Sequence, residues 1–286
     1  MGQLDGKVAV VTGASRGLGL AIAEVFAREG ASVVLTARSE NMLRENVATL
    51  TAKGYQVAGF PCDVGKFDEV RALGEFTKQT FGKIDIWINN AGVASIYGPT
   101  AANPVERFEQ VVQTNILGTY YGSVVALDHF IPQHSGKLIN VLGRGDDRPV
   151  PFQNAYASSK TWGRAFTLAL AKENKENGIG IHTFNPGLVD TDLLRKIDAI
   201  TGYEKNLVPF STVIQMWANP PEVPAERILW LASSATDGKT GLKINVLDRT
   251  TLLKGIGRFI VSKITRRPIP RNGALNITSI DPKSYT

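Results

Sequence analysis

The chain has 286 residues, of which 43% are hydrophobic and 20% are charged. This composition indicates a globular domain with a sizeable core and excludes an intrinsically disordered protein. No run of residues approaches the roughly 20 apolar positions of a membrane-spanning helix, and the first residues lack the pattern of a signal peptide. The single cysteine, Cys62, excludes an internal disulfide. We therefore expect a cytoplasmic protein without an integral membrane segment.

The net charge of +6 is concentrated near the C-terminus. Between positions 251 and 286 the sequence has seven basic residues and one acidic residue, so this segment alone carries +6 and the remainder is neutral. Nucleic-acid-binding proteins usually spread lysine and arginine over a binding face. We therefore expect no nucleic-acid partner, and we expect one domain over residues 1–250 followed by a basic tail over residues 251–286.

Short apolar strands alternate with amphipathic helices along the chain. A strand at 8–11, a helix at 17–28 and a strand at 32–35 form the first βαβ unit. The same alternation predicts helices at 41–53, 67–81, 105–130, 155–175 and 225–233, and strands at 56–60, 84–88, 137–142, 180–185 and 243–247. The strands are mostly apolar throughout, which is typical of a parallel sheet covered on both faces. We therefore expect an α/β fold with a doubly wound parallel sheet of about seven strands and helices on both faces, the Rossmann fold. The segment 190–219 is expected to be irregular and to form a loop or lid over a ligand.

A glycine-rich loop, Thr-Gly-Ala-Ser-Arg-Gly-Leu-Gly at 12–19, connects the first strand to the first helix. Gly13, Gly17 and Gly19 permit a tight turn and let the backbone approach a pyrophosphate, and the helix start presents N–H groups to that anion. The residues between these glycines that belong to the same candidate site are Ser15, Arg16 and Leu18. Because the loop directly follows the first strand of a βαβ unit, it predicts a dinucleotide cofactor rather than a purely structural turn.

The end of the second strand predicts which dinucleotide is bound. A site for NAD usually has an acidic residue here to accept from the ribose 2′-hydroxyl, whereas arginine matches the 2′-phosphate of NADP. This sequence has Arg38 and Ser39 after Ala37, and Arg16 can supply a second guanidinium. We therefore expect NADP(H) as the cofactor. The alternative is that the two arginines are solvated and bind no ligand.

Tyr156 and Lys160 are four residues apart in the helix expected at 155–175, so their side chains share one face. An unperturbed tyrosine has a pKa of about 10, and a nearby ammonium is expected to lower that pKa and bring proton transfer closer to neutral pH. Such a pair also occurs by chance on many helices. Its position after a cofactor loop and a buried strand favours a catalytic role.

Four motifs give the sequence a specific resemblance. TGxxxGxG at 12–19, Asn-Asn-Ala-Gly at 89–92, Tyr-Ala-Ser-Ser-Lys at 156–160, and Asn-Pro-Gly at 185–187 followed by Thr191 occur in the order and spacing of the short-chain dehydrogenases/reductases. The sequence resembles this family over most of its length. The resemblance implies that residues 1–250 form the NADP-binding catalytic domain of an oxidoreductase that acts on a small-molecule substrate and assembles as a homodimer or homotetramer.

The resemblance also implies roles for individual residues. Tyr156 would give a proton to a substrate carbonyl oxygen while NADPH delivers a hydride to its carbon, and Lys160 would also hold the nicotinamide ribose. Asn115 matches the asparagine that supports the lysine through a water molecule. The resemblance assigns Asp63 and Val64 to the adenine, Asn90 and Ala91 to the ribose side, and Val189 and Thr191 to the nicotinamide carboxamide, with Gly92, Pro186 and Gly187 in the same motifs.

The sequence departs from the family at the end of the fifth strand. The family has a serine there that polarises the substrate carbonyl, and the corresponding position is Gly143, with no serine nearby in 140–147. Losing one such donor typically costs about 2.7–4 kcal/mol. Three interpretations follow: Arg144, a backbone N–H or a water replaces the serine; the substrate is an imine or activated alkene that does not need it; or the protein binds NADP(H) without catalysis. The candidate residues of the substrate pocket are Gly143, Arg144 and Gln153, and Asp146 lies in the same segment, in the pocket or on a polar surface loop.

The three histidines show no spacing that is typical of a metal site. We therefore expect no metal. His129, His134 and His182 are expected at the surface or at helix ends.

The tail contains apolar residues at helical spacing beside basic residues. They are Leu252, Leu253, Ile256, Phe259, Ile260 and Ile264. This pattern predicts an amphipathic helix. We expect it to pack on the domain or on a neighbouring subunit, with an anionic membrane or an acidic substrate as the alternatives.

Overall fold

A seven-stranded parallel sheet forms the centre of the protein in the computed structural model, which describes residues 2–265 and 274–282. The strands of this sheet are β1 (Val8–Thr12), β2 (Ser32–Ala37), β3 (Val57–Pro61), β4 (Ile86–Asn89), β5 (Gly136–Val141), β6 (Ile179–Asn185) and β8 (Lys243–Asn245). Strands β7 (Lys196–Ile200) and β9 (Asn276–Ile280) form a separate pair. The main sheet has the order β3-β2-β1-β4-β5-β6-β8. The predicted doubly wound parallel sheet is confirmed.

Helices cover both faces of this sheet. The helices of the described residues are α1 (Gly17–Arg28), α2 (Glu40–Ala52), α3 (Phe67–Phe81), α4 (Val105–Val111), α5 (Gly118–Gln133), α6 (Asn154–Glu173), α7 (Asp192–Arg195), α8 (Val208–Trp217), α9 (Glu222–Ala232) and α10 (Arg249–Thr265). On one face α1 and α9 bury Phe26 and Leu231 against the sheet. On the other face α3 and α5 bury Leu73 and Phe130 around Trp87. The β-branched and apolar strands lie between these two layers, so the sheet is the core of the domain.

The long helix predicted at 105–130 is interrupted. Between α4 and α5, residues Val112–Leu117 form a π-helical segment. Such segments are rare and are frequent at functional sites. This one contains Asn115, which it presents beside the N-terminal part of α6.

The segment 190–219 was predicted to be irregular, and that prediction is wrong. It contains α7, β7 and α8. Strand β7 pairs in parallel with β9 of the tail, from Lys196 opposite Asn276 to Ile200 opposite Ile280. A strand whose partner lies about 80 residues further along the chain has no local hairpin signal, so its sequence alone did not reveal it.

The tail helix α10 contacts α8. The indole Nε1 of Trp217 donates a hydrogen bond to the carbonyl oxygen of Leu252 at 3.1 Å. A Cβ added at Gly255 would lie 2.1 Å from the same indole nitrogen, so the two helices meet closely here.

His182 lies in the sheet rather than at the surface or a helix end. Its side chain is fully buried in β6, and its Nδ1 accepts a hydrogen bond from the Leu242 N–H at 3.4 Å. Burial lowers the pKa of His182 to about 4, with a smaller contribution from Lys137. His182 is therefore a neutral core residue at physiological pH.

Candidate active site

The glycine-rich loop forms a close contact with the segment after β4. Gly13 has a φ of +66°, and a Cβ there would lie 2.8 Å from the Cα of Ala91. A Cβ at Gly19 would lie 2.3 Å from the carbonyl oxygen of Gly13. Both positions therefore require glycine, and Gly17 begins α1 with its amide groups at the same end of the sheet.

Thr12 and Asn90 fasten the two segments to each other. The hydroxyl of Thr12 accepts the backbone N–H groups of Asn90 and Ala91, both at 3.0 Å, and donates to the carbonyl of Ile88 at 3.2 Å. The Asn90 amide donates to the Thr12 carbonyl at 2.8 Å. Because the strand order changes direction between β1 and β4, this pair of segments lies at the crevice where dinucleotides bind in such sheets.

The candidate groups for a 2′-phosphate lie at the edge of this crevice. Arg38 and Ser39 are exposed at the end of β2. Arg16 directly precedes α1, and its guanidinium lies 3.5 Å from the carboxylate of Asp192. Both arginines are therefore accessible, although the positive charge of Arg16 is partly neutralised by the carboxylate of Asp192.

The neighbouring cofactor-site residues are held by local hydrogen bonds. The Ser15 carbonyl accepts the Asn46 amide at 2.8 Å. Asp63 follows β3, and its carboxylate accepts the Gly65 N–H at 3.0 Å. Val64 is buried against Gly118, where a Cβ would approach Val64 to 2.7 Å.

The segment after β6 approaches the glycine-rich loop from the opposite side. Gly187 has a φ of +71°, and its N–H donates to the side-chain oxygen of Asn185 at 3.0 Å, so Pro186 and Gly187 form a tight turn. Val189 is buried. A Cβ at Gly17 would lie 3.0 Å from the methyl group of Thr191. The structure thus brings together the candidate cofactor residues from three separate loops.

Lys160 and Asn115 lie side by side under the same crevice. The ammonium of Lys160 donates to the carbonyl of Val141 at 3.1 Å and lies 5.5 Å from the centre of the Tyr156 ring. Asn115 is buried; its amide donates to the Val93 carbonyl at 3.0 Å and to the Ser159 hydroxyl at 3.1 Å. A Cβ at Gly92 would lie 3.4 Å from the Asn115 oxygen and 3.7 Å from the Lys160 nitrogen. Both are ordinary van der Waals distances, so Gly92 lies directly beside these two side chains.

The ionisation of the Tyr156–Lys160 pair is dominated by burial. Burial, and then the charge of Asp146, raise the pKa of Tyr156 to about 12. Burial lowers the pKa of Lys160 to about 8 against a smaller opposing effect of Asp146. The expected lowering of the tyrosine pKa is therefore wrong for this structure, because desolvation and the Asp146 carboxylate both raise it. Tyr156 keeps its proton at neutral pH, as a proton donor requires.

Gly143 directly contacts the tyrosine hydroxyl. A Cβ at this position would lie 2.4 Å from the Oη of Tyr156, so the hydroxyl occupies the space in which a side chain would begin. The Gly143 carbonyl accepts the Asn185 amide and the Asp146 N–H, both at 3.2 Å. The Tyr156 hydroxyl can therefore lie at this position only because residue 143 has no side chain.

The other candidate pocket residues lie further along the same loop. Arg144 is exposed, and its guanidinium lies 5.9 Å from the centre of the Phe210 ring in α8. Gln153 is half-buried and directly precedes α6. Asp146 lines a groove of about 780 Å³ formed by this loop and α6, a groove that neither Tyr156 nor Lys160 lines.

Sequence reasoning missed the loop at 93–98. Val93 is held at both its N–H and its carbonyl by Asn115. The hydroxyl of Ser95 is buried and has no hydrogen-bond partner among the described residues. Tyr97 pairs with Ala199 of β7. The only sequence signal for this loop was its position directly after the Asn-Asn-Ala-Gly motif.

The chain belongs to the short-chain dehydrogenase/reductase family. The short chain dehydrogenase family model matches residues 7–201. This is an oxidoreductase family that uses nicotinamide cofactors. Within the described part of the chain, no helix has the length and apolarity needed to cross a membrane, and no cluster of three metal-ligating side chains occurs.

Similar proteins include bacterial dehydrogenases and reductases. The 3β-hydroxysteroid dehydrogenase 1 of Eggerthella lenta is 33% identical over 88% of this chain and 97% of its own length. The (S)-acetoin-forming diacetyl reductase of Staphylococcus epidermidis is 32% identical over 83% of this chain and 96% of its own length. The structure of a 3-ketoacyl-(acyl-carrier-protein) reductase from Brucella melitensis, complexed with NADH, is 28% identical with a TM-score of 0.74, covering 85% of this chain and 98% of that chain.

Proposed function

We propose that this protein is an NADPH-dependent reductase of the C=O group of a small or medium organic substrate. The observation on which the proposal depends is the buried Tyr156 side chain, whose hydroxyl lies against Gly143 and whose ring centre lies 5.5 Å from the Lys160 ammonium. Gly13 and Gly19 support nucleotide binding, because neighbouring backbone atoms occupy the space that a side chain at either position would need. The names of the similar proteins refer to a hydroxysteroid, diacetyl and a 3-ketoacyl group, which supports ketone–secondary alcohol chemistry.

The site residues have separate roles in the proposed reaction. NADPH, when bound along the glycine-rich loop, supplies the hydride. Tyr156 donates its proton to the carbonyl oxygen as negative charge develops there. Lys160, held at the carbonyl of Val141, lowers the energy of the tyrosinate that remains. Asn115 positions Val93 and the N-terminal part of α6, so that both walls of the site keep their spacing.

The arginines at the end of β2 and in the glycine-rich loop support NADPH over NADH. Arg38 is exposed where the 2′-phosphate would lie, and Ala37 leaves no acidic residue to repel it. We expect Arg38→Asp to weaken NADPH binding on the order of tenfold or more while NADH binding is retained. Arg44→Asp is a matched control, because Arg44 is an exposed arginine of α2 that pairs with Glu40. An unchanged ratio of NADPH to NADH affinity in the Arg38 variant would show that this arginine is merely solvated.

The reductase activity is tested with a panel of ketones, aldehydes, imines and enones, by following NADPH oxidation. Turnover of a ketone or aldehyde that is lost in Tyr156→Phe supports the proposal. Turnover of imines or enones alone favours a substrate that needs no polarising serine. Tight NADPH binding without turnover of any substrate would indicate a non-catalytic NADP(H)-binding protein. Turnover that survives in Tyr156→Phe would contradict the assigned mechanism.

We further propose a homodimer or homotetramer that works in the cytoplasm. An aromatic group on α5 and α6 supports assembly: Trp162 stacks on Phe166 with 4.7 Å between ring centres, and Tyr120 is 44% exposed beside Phe166. The single buried Cys62, whose pKa burial raises to about 12, is typical of an unreactive thiol in a reducing compartment. Sedimentation of the wild type and Trp162→Asp tests the assembly, since an unchanged monomeric mass in both would contradict it.

A further inference from the structure

Helix α10 exposes a row of aliphatic side chains. Leu253, Ile260 and Ile264 are 68%, 50% and 76% exposed. The other exposed members of the row are Leu252, Ile256 and Val261. The opposite side of the helix packs on α8, where the Leu252 carbonyl and Gly255 meet the Trp217 indole. An exposed apolar row of this size on a helix usually marks a binding surface.

The charge of the sequence around this row has one sign. Residues 249–271 contain seven lysines and arginines and no aspartate or glutamate. The rest of the chain, excluding residues 251–286, is electrically neutral. Apolar side chains and concentrated positive charge therefore occur together in one segment of the sequence, whereas the remainder of the chain has no net charge.

This charge distinguishes between the possible occupants of the aliphatic row. A second copy of the chain, related by a two-fold axis, would bring α10 against α10 and would place its four basic residues opposite four more of the same sign. Lysine is depleted at the centres of such interfaces. An anionic lipid bilayer has the opposite charge, and its acyl region accepts aliphatic side chains from a helix that lies in the plane of the surface.

We propose that α10 is a peripheral membrane-docking helix. Its aliphatic row enters the boundary between headgroups and acyl chains of an anionic bilayer, and the net positive charge of this part of the sequence complements the negative charge of the lipid headgroups. No membrane span is involved, since the helix lies on the surface of the bilayer.

Docking would bring the active-site loop close to the membrane. Helix α8 lies between α10 and that loop, because Trp217 contacts α10 and Phe210 lies under the guanidinium of Arg144, next to Gly143. Val208, at the start of α8, is a further exposed aliphatic residue at 68%. This geometry favours an apolar carbonyl substrate that partitions into lipid. That inference about the substrate rests on the proposed reductase activity, whereas docking itself does not.

Co-sedimentation of the full chain with vesicles tests the docking directly. Vesicles of phosphatidylcholine with phosphatidylglycerol are compared with vesicles of phosphatidylcholine alone. The proposal predicts binding that is on the order of tenfold stronger to the anionic vesicles, and that weakens as salt is added. The variant Leu253→Asp/Ile260→Asp/Ile264→Asp should lose this binding. Ile264→Ser, a milder change at the most exposed position, should weaken it if the triple variant does not fold.

Val223→Asp is the matched control, because Val223 is a 43% exposed aliphatic residue on α9, away from the row. It should bind anionic vesicles as the wild type does. Wild-type protein that stays in the supernatant with anionic vesicles overturns the proposal, as does equal binding by the Ile264→Ser variant and the wild type. A variant that shifts the oligomeric mass while the wild type ignores vesicles would identify the row as an interface between copies. Because vesicle binding needs no substrate, failure here leaves the reductase proposal standing.

Discussion

The contact between Gly143 and Tyr156 gives a quantitative prediction for Gly143→Ala. The added Cβ would lie 2.4 Å from the tyrosine Oη. An ordinary contact between these atoms is roughly 3.5 Å, so the hydroxyl must move by about 1 Å. A misplacement of this size in an active site can cost about 10²-fold in rate, or about 2.7 kcal/mol of transition-state stabilisation. We therefore expect the kcat for carbonyl reduction to fall by about two orders of magnitude.

The assay compares kcat and the NADPH dissociation constant of the wild type, Gly143→Ala and Gly257→Ala. A Cβ at Gly257 meets no heavy atom within 4 Å, so this control should keep the wild-type rate. NADPH binding should be unaffected in both variants, because Gly143 is at the end of β5 rather than in the glycine-rich loop.

Gly143→Ser adds the same Cβ and should be slowed as well, although the sequence comparison alone suggests that a serine would restore the missing donor. A rate for Gly143→Ala equal to that of the wild type, or faster ketone reduction by Gly143→Ser, would refute the reasoning.

Three further outcomes follow from the buried polar groups. Lys160 has a pKa of about 8 and Tyr156 a pKa of about 12, so kcat/KM for reduction should fall as pH rises through 8. Lys160→Arg should move this fall in kcat/KM to higher pH, whereas a flat wild-type profile up to pH 10 would contradict the role of Lys160. Asn115→Leu removes the hydrogen bonds to Val93, and we expect kcat/KM to fall on the order of tenfold with NADPH affinity retained, which steady-state kinetics and a binding titration would check. His182 is buried with a pKa of about 4, below the roughly 6.5 of an unfolded chain, so its contribution to stability is present above pH 6.5 and is lost as pH falls towards 4. Urea unfolding should therefore show that His182→Thr is less pH-dependent than the wild type by about 3 kcal/mol between pH 7 and pH 4; equal pH dependence would show that the histidine is already protonated in the folded state.

The parts of the fold that the sequence predicted depend on local patterns. The first strand, the glycine-rich loop and α1 follow one another within about 20 residues, and each has its own signal in spacing or glycine placement. The parallel arrangement followed from strands that are apolar on both faces. These features need no knowledge of distant contacts.

The features that the sequence did not reveal depend on contacts between distant segments. Strand β7 exists because β9 pairs with it from the tail. His182 was expected at the surface because a lone histidine in a strand has no pattern that reports burial. The π-helical segment around Asn115 differs from an α-helix in having hydrogen bonds that span one more residue, a change that hydrophobic spacing does not detect.

The active site shows the same division between local and distant information. The spacing of Tyr156 and Lys160 identified the pair from the sequence. The contact of the tyrosine hydroxyl with Gly143 and the burial that raises its pKa are tertiary effects. From the sequence, Gly143 was interpreted as the loss of a hydrogen-bond donor. In the structure, the Tyr156 hydroxyl occupies the space that a side chain at position 143 would need.

The most direct test of the account separates cofactor binding from chemistry in Tyr156→Phe. NADPH binding is titrated by calorimetry, and the rate of NADPH oxidation is measured with the carbonyl compound that the wild type reduces fastest. The account predicts unchanged NADPH affinity and a rate that is lower by about 10²–10⁴-fold, because only the proton donor is removed. An equal rate in the variant and the wild type would contradict the assignment of Tyr156 as the proton donor.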